Sequence, residues 1–129
     1  MTTIVVCRKG GQACIGADTL VSYGSTLEPA DFVASPGKLL QVGDTHWAVA
    51  GPSAGMLAMR SHFRDEENER AFGDVDQIFE TFRQLHRAMK KRFFLNPKEE
   101  EDAPFESIQM ECLAANPTGI YGIFSLRSV

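Results

Sequence analysis

The second residue of the chain is a threonine whose position gives it the potential to act as a nucleophile. Removal of Met1 would leave Thr2 as the first residue, so that its own α-amine could take the proton from its hydroxyl. An α-amine titrates near pH ~8, which suits a base at neutral pH. Many chains carry threonine at this position by chance, so Thr2 indicates a nucleophile only if the residues near it in the fold support that chemistry.

A predicted hairpin supplies one such neighbour. Residues 3–7 and 12–18 indicate two strands, and Gly10-Gly11 between them suits a tight turn. The resulting register brings Thr2 beside Asp18. We therefore expect the Asp18 carboxylate to orient the Thr2 amine and to pair with a cation, although an aspartate at a strand end also commonly caps the turn that follows.

Lys38 is the candidate cation, because it begins the next predicted strand. A lysine close to Thr2 would favour loss of the hydroxyl proton electrostatically. A lysine at the start of a strand is more often a solvated surface charge, and spacing alone does not bring Lys38 to Thr2.

A rival nucleophile lies in Gly51-Pro52-Ser53-Ala54-Gly55, which matches the G-x-S-x-G pattern between a predicted strand and a predicted helix. This pattern is typical of the nucleophile elbow, a sharp strand-to-helix turn that presents a serine. The nucleophile elbow belongs to a mostly parallel sheet, whereas the strands of this chain are joined as hairpins. His86, which follows an acidic residue as the elbow requires, has the position of a partly buried helix residue. We therefore interpret Ser53 as a helix cap.

The remaining polar residues give no metal or cofactor site. The histidines have no ligand-like spacing with the cysteines; they are His46, His62 and His86. Cys7 and Cys14 are predicted to face each other across the first hairpin as two packed thiols. The acidic run Glu99–Asp102 is interpreted as a solvated loop.

The elements that must position these residues are three hairpins and two helices. Residues 24–37 are predicted to form a loop. The second hairpin is predicted over 38–42 and 46–50, a helix from 51–53 onward, a longer helix from Asp74 to Asn96-Pro97, and the third hairpin over 108–115 and 120–126. Asp74 and Gln77 resemble a capping box at the start of the longer helix.

Composition restricts the class of protein. The 129 residues suit one domain, and 13 basic against 17 acidic residues give a net charge of −4, which does not suit a general nucleic-acid binder. The sequence lacks both an apolar run long enough for a membrane span and a recognisable signal peptide. Three cysteines indicate a reducing compartment. We expect a soluble cytoplasmic protein that binds neither nucleic acid nor membrane.

Several segments together resemble the proteasome β-subunit family, with the HslV-type bacterial peptidase and the beta-proteobacterial proteasome homologue as the most similar branches. No single segment is highly specific, but their order and spacing are. The segments are Thr2–Val5, Gly10-Gly11, Gly16–Asp18, Gly37–Leu39, Ala48–Gly51, Phe94–Glu99 and Gly119–Gly122.

The resemblance implies an α+β fold, the αββα four-layer sandwich of antiparallel sheets of N-terminal nucleophile hydrolases. It also implies a threonine-type endopeptidase, without a cofactor, that cuts unfolded polypeptides inside a homo-oligomeric ring served by an ATP-dependent unfoldase. By position, Thr2 matches the nucleophile and base, and Asp18 matches the acid that orients the site. Lys38 matches the lysine that activates the hydroxyl, and the Gly51 amide matches the oxyanion donor.

The chain departs from the family at its end, because family members continue with a Gly-Ser-Gly segment, further helices and further strands after the position of Val129. We therefore expect residues 1–129 to form a single proteasome β-subunit-like domain that is incomplete at its C-terminal end. One alternative function is that of a catalytically inactive ring subunit, which acts as an assembly or binding module, and another is that of a small amidase of the same fold that acts on a metabolite.

Overall fold

A computed structural model describes residues 1–33, 37–95, 110–125 and 129. It contains eight strands among the described residues: β1 Ile4–Lys9, β2 Gln12–Ala17, β3 Val21–Tyr23, β4 Thr26–Glu28, β5 Leu39–Val42, β6 Thr45–Ala50, β7 Glu111–Asn116 and β8 Gly119–Ile123. The helices there are a single-turn 3-10 helix, Ala30–Phe32, and two α-helices, α1 Ser53–Arg64 and α2 Val75–Lys91.

The first hairpin has the predicted register. Gly10 and Gly11 form the turn with φ angles of +58° and +77°, values that glycine adopts without steric cost. Ile4 pairs with Ala17, and Cys7 pairs with Cys14. The β-branched residues of 3–7 thus predicted the strand correctly, and the Gly10-Gly11 turn predicted its partner and register.

The stretch 24–37 is not a simple loop, so that prediction was wrong. Val21–Tyr23 and Thr26–Glu28 form a small antiparallel hairpin around Gly24, which has a φ of +60°, and the 3-10 helix follows it. Strands of three residues are too short to show an alternating pattern, while the glycine and proline around them dominate the local signal. Residues 34–36 lie outside the described residues.

Two antiparallel layers of strands lie on one another. The larger sheet has the order β5-β6-β7-β8, and the β1–β2 hairpin contacts its central strands β6 and β7. The opposite face of the larger sheet carries the helices, since the Trp47 ring of β6 lies 5.0 Å from Phe72 and 5.2 Å from Phe82 of α2. The described residues therefore form a hairpin layer, a sheet and a helical layer, and the paired strands are antiparallel as the sequence predicted.

The α2 helix begins where predicted and ends earlier. Asp74 is its N-cap and accepts a hydrogen bond from Gln77 N at 2.8 Å, while the Gln77 side chain accepts from Gly73 N at 2.9 Å. The helix ends at Lys91, because Phe94 adopts a left-handed φ of 54° and Leu95 N returns to Met89 O. The predicted stop at Asn96-Pro97 lies outside the described residues.

The third hairpin consists of β7 and β8, and side-chain hydrogen bonds hold the turn between them. β7 and β8 pair from Cys112–Ile123 to Asn116–Gly119, so the turn is Pro117-Thr118. The side-chain oxygen Oδ1 of Asn116 accepts hydrogen bonds from Thr118 N and Gly119 N. Residues 108, 109 and 126, which the sequence assigned to these strands, lie outside the described residues. None of the helices in the described part of the chain is both long and apolar enough to cross a membrane.

Candidate active site

The N-terminal end of the first hairpin brings Thr2 and Asp18 together. Thr2 immediately precedes the Thr3–Asp18 pair, in which Asp18 N donates to Thr3 O at 3.0 Å. Thr3 N does not complete the ladder with a backbone oxygen but donates to the Asp18 carboxylate at 2.8 Å. The side chain of Asp18 is therefore fixed by the same strand that carries Thr2, as the hairpin register predicted.

Lys38 joins this pair from the start of β5. Its Nζ donates to Thr2 Oγ1 at 3.2 Å, to Asp18 Oδ1 at 3.0 Å and to the Leu20 carbonyl at 2.7 Å. An ammonium has three N–H donors, so each one has an acceptor here. The Lys38 side chain is only 14% exposed. It is thus a part-buried cation at the Thr2 hydroxyl, not the solvated surface charge that a lysine at a strand start usually is.

The backbone of Lys38 is anchored to the larger sheet. Its carbonyl accepts from Val49 N at 2.9 Å, immediately before the β5–β6 ladder begins. The ammonium then reaches out to residues of the first hairpin layer. Lys38 therefore ties the two strand layers together at the site, and the long connection between residues 24 and 37 does not displace it.

The local hydrogen bonds keep Asp18 ionised. The pKa of the Asp18 carboxyl is lowered below 3.8, first by the hydrogen bond from Thr3 N and next by the hydrogen bond from Lys38, with a smaller contribution from Leu20 N. Partial burial acts in the opposite direction and is outweighed. Asp18 is therefore a carboxylate at neutral pH, and the pair it forms with Lys38 places a fixed cation next to Thr2 Oγ1.

Met1 determines which amine the site contains. In this chain the free α-amine is that of Met1, and it donates to Ser22 Oγ at 3.4 Å. The nitrogen of Thr2 is a peptide nitrogen as long as Met1 is attached, and a peptide nitrogen is not a base. The hydroxyl and the cation are thus in place, whereas the amine base requires removal of Met1.

Gly51 lies at the same end of the larger sheet as Lys38. It follows β6 directly, two residues after Val49, whose N–H binds the Lys38 carbonyl. Its φ is +135°, a conformation that side-chain-bearing residues rarely adopt. The role of Gly51 as an oxyanion donor stays a prediction.

The Ser53 motif has a structural explanation. Ser53 is exposed and is the first residue of α1, whose N-cap is Pro52 without a side-chain hydrogen bond, so the prediction that Ser53 caps the helix was wrong. A Cβ atom added at Gly55 would lie 2.8 Å from Met110 Sδ. Gly55 therefore allows α1 to approach Met110 closely, and the antiparallel sheet lacks the parallel setting of a nucleophile elbow.

The other polar residues lie away from Thr2 in the fold. His86 is buried in α2, as predicted, and His62 is buried in α1. Cys7 and Cys14 pair directly across the first hairpin as predicted, but both thiols are free and exposed, so their interpretation as packed thiols was wrong. The Leu20 carbonyl and the Ser22 hydroxyl could not be predicted from the sequence, because a backbone acceptor has no residue signature and residues 19–23 carry no pattern that assigns them to an element.

Two solved structures of Thiobacillus denitrificans BPH, a bacterial proteasome homologue, are similar to this chain. BPH in complex with epoxomicin matches with a TM-score of 0.87 at 33% sequence identity, and BPH matches with a TM-score of 0.88 at 34% identity. Each match covers 99% of this chain and 66% of the BPH chain. Neither a family model nor a curated protein matches the sequence.

These likenesses support a proteasome-like protein, in agreement with the resemblance in the sequence. The mixed fold of antiparallel sheets and two helices is consistent with the part of a proteasome-like subunit that the chain spans.

Proposed function

We propose that the chain is an N-terminal-threonine peptidase subunit of a ring-shaped, proteasome-like assembly. The observation that carries the proposal is the contact of Lys38 Nζ with Thr2 Oγ1 at 3.2 Å, in which the ammonium is held by Asp18 and Leu20. A hydroxyl-bearing residue at position 2 of a chain is common, but a part-buried cation that donates a hydrogen bond to that hydroxyl is not. The similarity to a bacterial proteasome homologue supports the same proposal.

The reaction begins once Met1 has been removed. The α-amine of Thr2 takes the proton of its own hydroxyl, and Oγ1 attacks the carbonyl carbon of a peptide bond. The Lys38 ammonium stabilises the negative charge that develops on Oγ1, and the Gly51 amide donates to the carbonyl oxygen as it becomes an oxyanion. The amine passes its proton to the leaving nitrogen, which leaves an ester on Thr2. Water then hydrolyses that ester and restores the hydroxyl.

Asp18 acts on the reaction through Lys38 and through the backbone. Its carboxylate accepts from both the ammonium and Thr3 N, so it fixes the cation relative to the strand that carries Thr2. It also offsets the cost of placing a cation where only 14% of the lysine side chain is exposed. Asp18 is therefore a positioning residue, whereas Thr2, Lys38 and Gly51 contact the reacting atoms.

The assembly that we propose is a homo-oligomeric ring in the cytoplasm, whose substrates are unfolded polypeptides. The fold that we propose for the subunit is the αββα four-layer sandwich, in which a second helical layer covers the outer face of the β1–β2 hairpin. Such a layer would cover Val5, which is 56% exposed on that face. A closed chamber admits only unfolded chains, so an ATP-dependent unfoldase is the proposed partner.

An inactive ring subunit is the second candidate function, and the position of Met1 favours it. The Met1 amine donates to Ser22 Oγ, so the N-terminus of the chain with Met1 attached has a hydrogen-bond partner although Thr2 then has no free amine. In that case the fold serves assembly, and Lys38 and Asp18 stabilise the contact between the strand layers.

Peptide cleavage by the chain with Met1 removed distinguishes the two. We expect hydrolysis of an unfolded protein and of short fluorogenic peptides, and we expect Thr2→Ala to abolish it. Thr26→Ala removes an exposed threonine from β4 and is the matched control, which should cleave like the parent. Epoxomicin, which is bound in the similar BPH structure, should inhibit the parent. An N-terminus that keeps Met1 in the assembled particle, together with no cleavage, would instead support the inactive subunit.

A further inference from the structure

A groove lies between strand β5 and helix α1, on the helical side of the larger sheet. Within the described residues β5 stands at one end of the strand order and pairs only with β6. The groove has a volume of about 200 Å³, smaller than the pockets of ~300–1,000 Å³ that enclose small-molecule ligands. Such a groove suits a few side chains of a segment that lies along the surface. We name it the β5–α1 groove, and it is lined by Leu40, Gln41, Val42, Arg60, Phe63 and Arg64.

The outer edge of β5 has backbone groups available to a further strand. The Lys38 carbonyl accepts from Val49 N and hydrogen-bonded pairs alternate along an antiparallel ladder, so Leu40 bonds to β6. The N–H and C=O groups of Leu39 and Gln41 therefore point away from β6, and none of them has a partner among the described residues. An extended polypeptide offers donors and acceptors in the same alternation, which a small anion does not.

Two arginines of α1 face this edge without an acceptor. Arg60 and Arg64 are one helical turn apart, and neither forms a hydrogen bond or an ion pair within the described residues. Asp65 follows in sequence, but its carboxylate accepts from Glu67 N at 3.1 Å and lies 3.9 Å from Arg92. The β5–α1 groove therefore carries positive charge that no described residue neutralises, although the chain as a whole has a net charge of −4.

The spacing of the arginines matches that of alternate residues in a strand. Residues four apart in a helix are separated by about 6 Å along its axis, and residues two apart in a strand by about 6–7 Å on the same face. We propose that the β5–α1 groove binds an extended acidic segment of another polypeptide. The segment adds to β5 as a further strand and directs two carboxylates, two residues apart, to Arg60 and Arg64.

The two kinds of contact have different roles. Main-chain hydrogen bonds to Leu39 and Gln41 hold any extended segment, whereas the guanidinium groups select for carboxylates, with which they form paired, charge-assisted hydrogen bonds. The residue between the two acids lies on the other face of the sheet, beside Leu39, which is 48% exposed. We therefore expect an apolar residue there. The inference does not depend on peptidase activity.

A synthetic peptide of sequence Thr-Glu-Val-Glu-Val-Thr is the probe for this groove. It carries a fluorescent label and is capped at both ends, so that its only carboxylates are those of the glutamates. The protein is the 129-residue chain with Met1 attached, in which Thr2 has no free amine to start cleavage of the peptide. Fluorescence anisotropy measures the dissociation constant. We expect binding that is at least about tenfold weaker when both glutamates are replaced by glutamine, and equal binding of the two peptides would overturn the proposal.

A matched pair of protein variants tests the arginines. Arg64→Gln and Arg70→Gln change the net charge equally, and both arginines are exposed, but Arg70 lies outside the β5–α1 groove. We expect Arg64→Gln to weaken binding of the glutamate peptide about tenfold and Arg70→Gln to leave it unchanged. Equal losses in the two variants would assign the binding to general electrostatic attraction and contradict the proposal.

Strand addition is tested on the peptide, which leaves the protein unchanged. Neighbouring residues of a strand direct their N–H groups to opposite sides, so methylation of the amide nitrogens of both glutamates, or of both valines, blocks a different edge of the peptide. We expect one methylated peptide to lose binding and the other to keep it, and equal binding of the two would refute strand addition. Peptide binding that sedimentation velocity detects only after the chain dissociates into smaller species would assign the groove to a second copy, and would also refute the proposal.

Discussion

Lys38 Nζ makes its shortest hydrogen bond, 2.7 Å, with the backbone carbonyl of Leu20. The carbonyl supplies an acceptor that no side-chain substitution at residue 20 removes. Together with the Asp18 carboxylate it uses two of the three ammonium protons and directs the third to Thr2 Oγ1. The geometry of the site therefore depends on the turn after β2 as much as on the side chains.

Replacement of Lys38 should reduce the rate of peptide cleavage strongly. Lys38→Ala removes the cation from Thr2 Oγ1, and we expect a loss on the order of 10²-fold or more, by analogy with the loss of an oxyanion contact. Lys38→Arg should restore little, because a planar guanidinium does not fit three acceptors arranged around a compact ammonium. Steady-state kinetics on a fluorogenic peptide measure both.

Lys90→Ala is a suitable comparison, because it removes a lysine from α2, away from the site. Cleavage by Lys38→Ala at the parental rate would mean that the contact with Thr2 contributes nothing to the reaction.

The contribution of Asp18 to stability should depend on pH in the acid range. Because the pKa of Asp18 is lowered below 3.8 in the folded chain, its ionised form stabilises the fold above that pH, and the contribution is lost as the pH falls through the folded pKa. We expect Asp18→Asn to be less stable than the parent near neutral pH, and the difference to shrink on acidification. Urea unfolding across the acid range measures it.

The comparison variant for Asp18 is Glu66→Gln, which removes an exposed carboxylate after α1. If the difference in unfolding free energy between the parent and Asp18→Asn stays constant into strong acid, the result would contradict the assigned hydrogen bonds.

Much of this site could be predicted from the sequence. The Gly10-Gly11 turn fixes the register of the first hairpin, and that register alone brings Asp18 to Thr2. Periodicity could not predict that Lys38 reaches the same point, because the intervening residues fold into the β3–β4 hairpin and a 3-10 helix. It was the family resemblance that pointed to Lys38.

Backbone groups and helix ends were the features that sequence patterns could not supply. The Leu20 carbonyl acts through its position and not through its residue type. The α2 helix ends at a left-handed Phe94, a conformation that glycine or asparagine would have indicated but phenylalanine does not.

His62 should make the fold sensitive to mild acid. Burial, reinforced by the charge of Arg92, lowers the pKa of His62 below 6.5, while Asp65 acts in the opposite direction. Its ring nitrogens have no hydrogen-bond partner among the described residues. The unfolded chain therefore binds the proton more tightly, and the free energy of unfolding should fall as the pH drops below 6.5.

Denaturant titrations between neutral and mildly acidic pH measure this effect. His62→Leu should weaken the dependence of the unfolding free energy on pH. His46→Gln, at an exposed position of β6, should leave that dependence unchanged. An equally steep dependence in His62→Leu would assign the acid sensitivity to other groups.

Asn116 should be important for stability, although it lies away from Thr2. Its amide nitrogen donates to Thr45 Oγ1 at 3.2 Å and to the Phe72 carbonyl at 2.8 Å, so it joins β6 to the segment before α2. We expect Asn116→Ala to cost about 1–3 kcal/mol of unfolding free energy, because buried acceptors lose their donor. Asn116→Asp keeps the acceptor for the turn and lacks the donor. It should therefore be destabilised too, and stability equal to the parent would contradict this role.

The most direct test of the account is to locate the acyl group during turnover. The chain with Met1 removed is mixed with an activated peptide ester, quenched in acid and mapped by mass spectrometry. The proposed mechanism predicts an acyl group on Thr2 Oγ1 in the parent and none at that residue in Thr2→Ala. Acylation of Ser53, or peptide cleavage by Thr2→Ala at the parental rate, would contradict it.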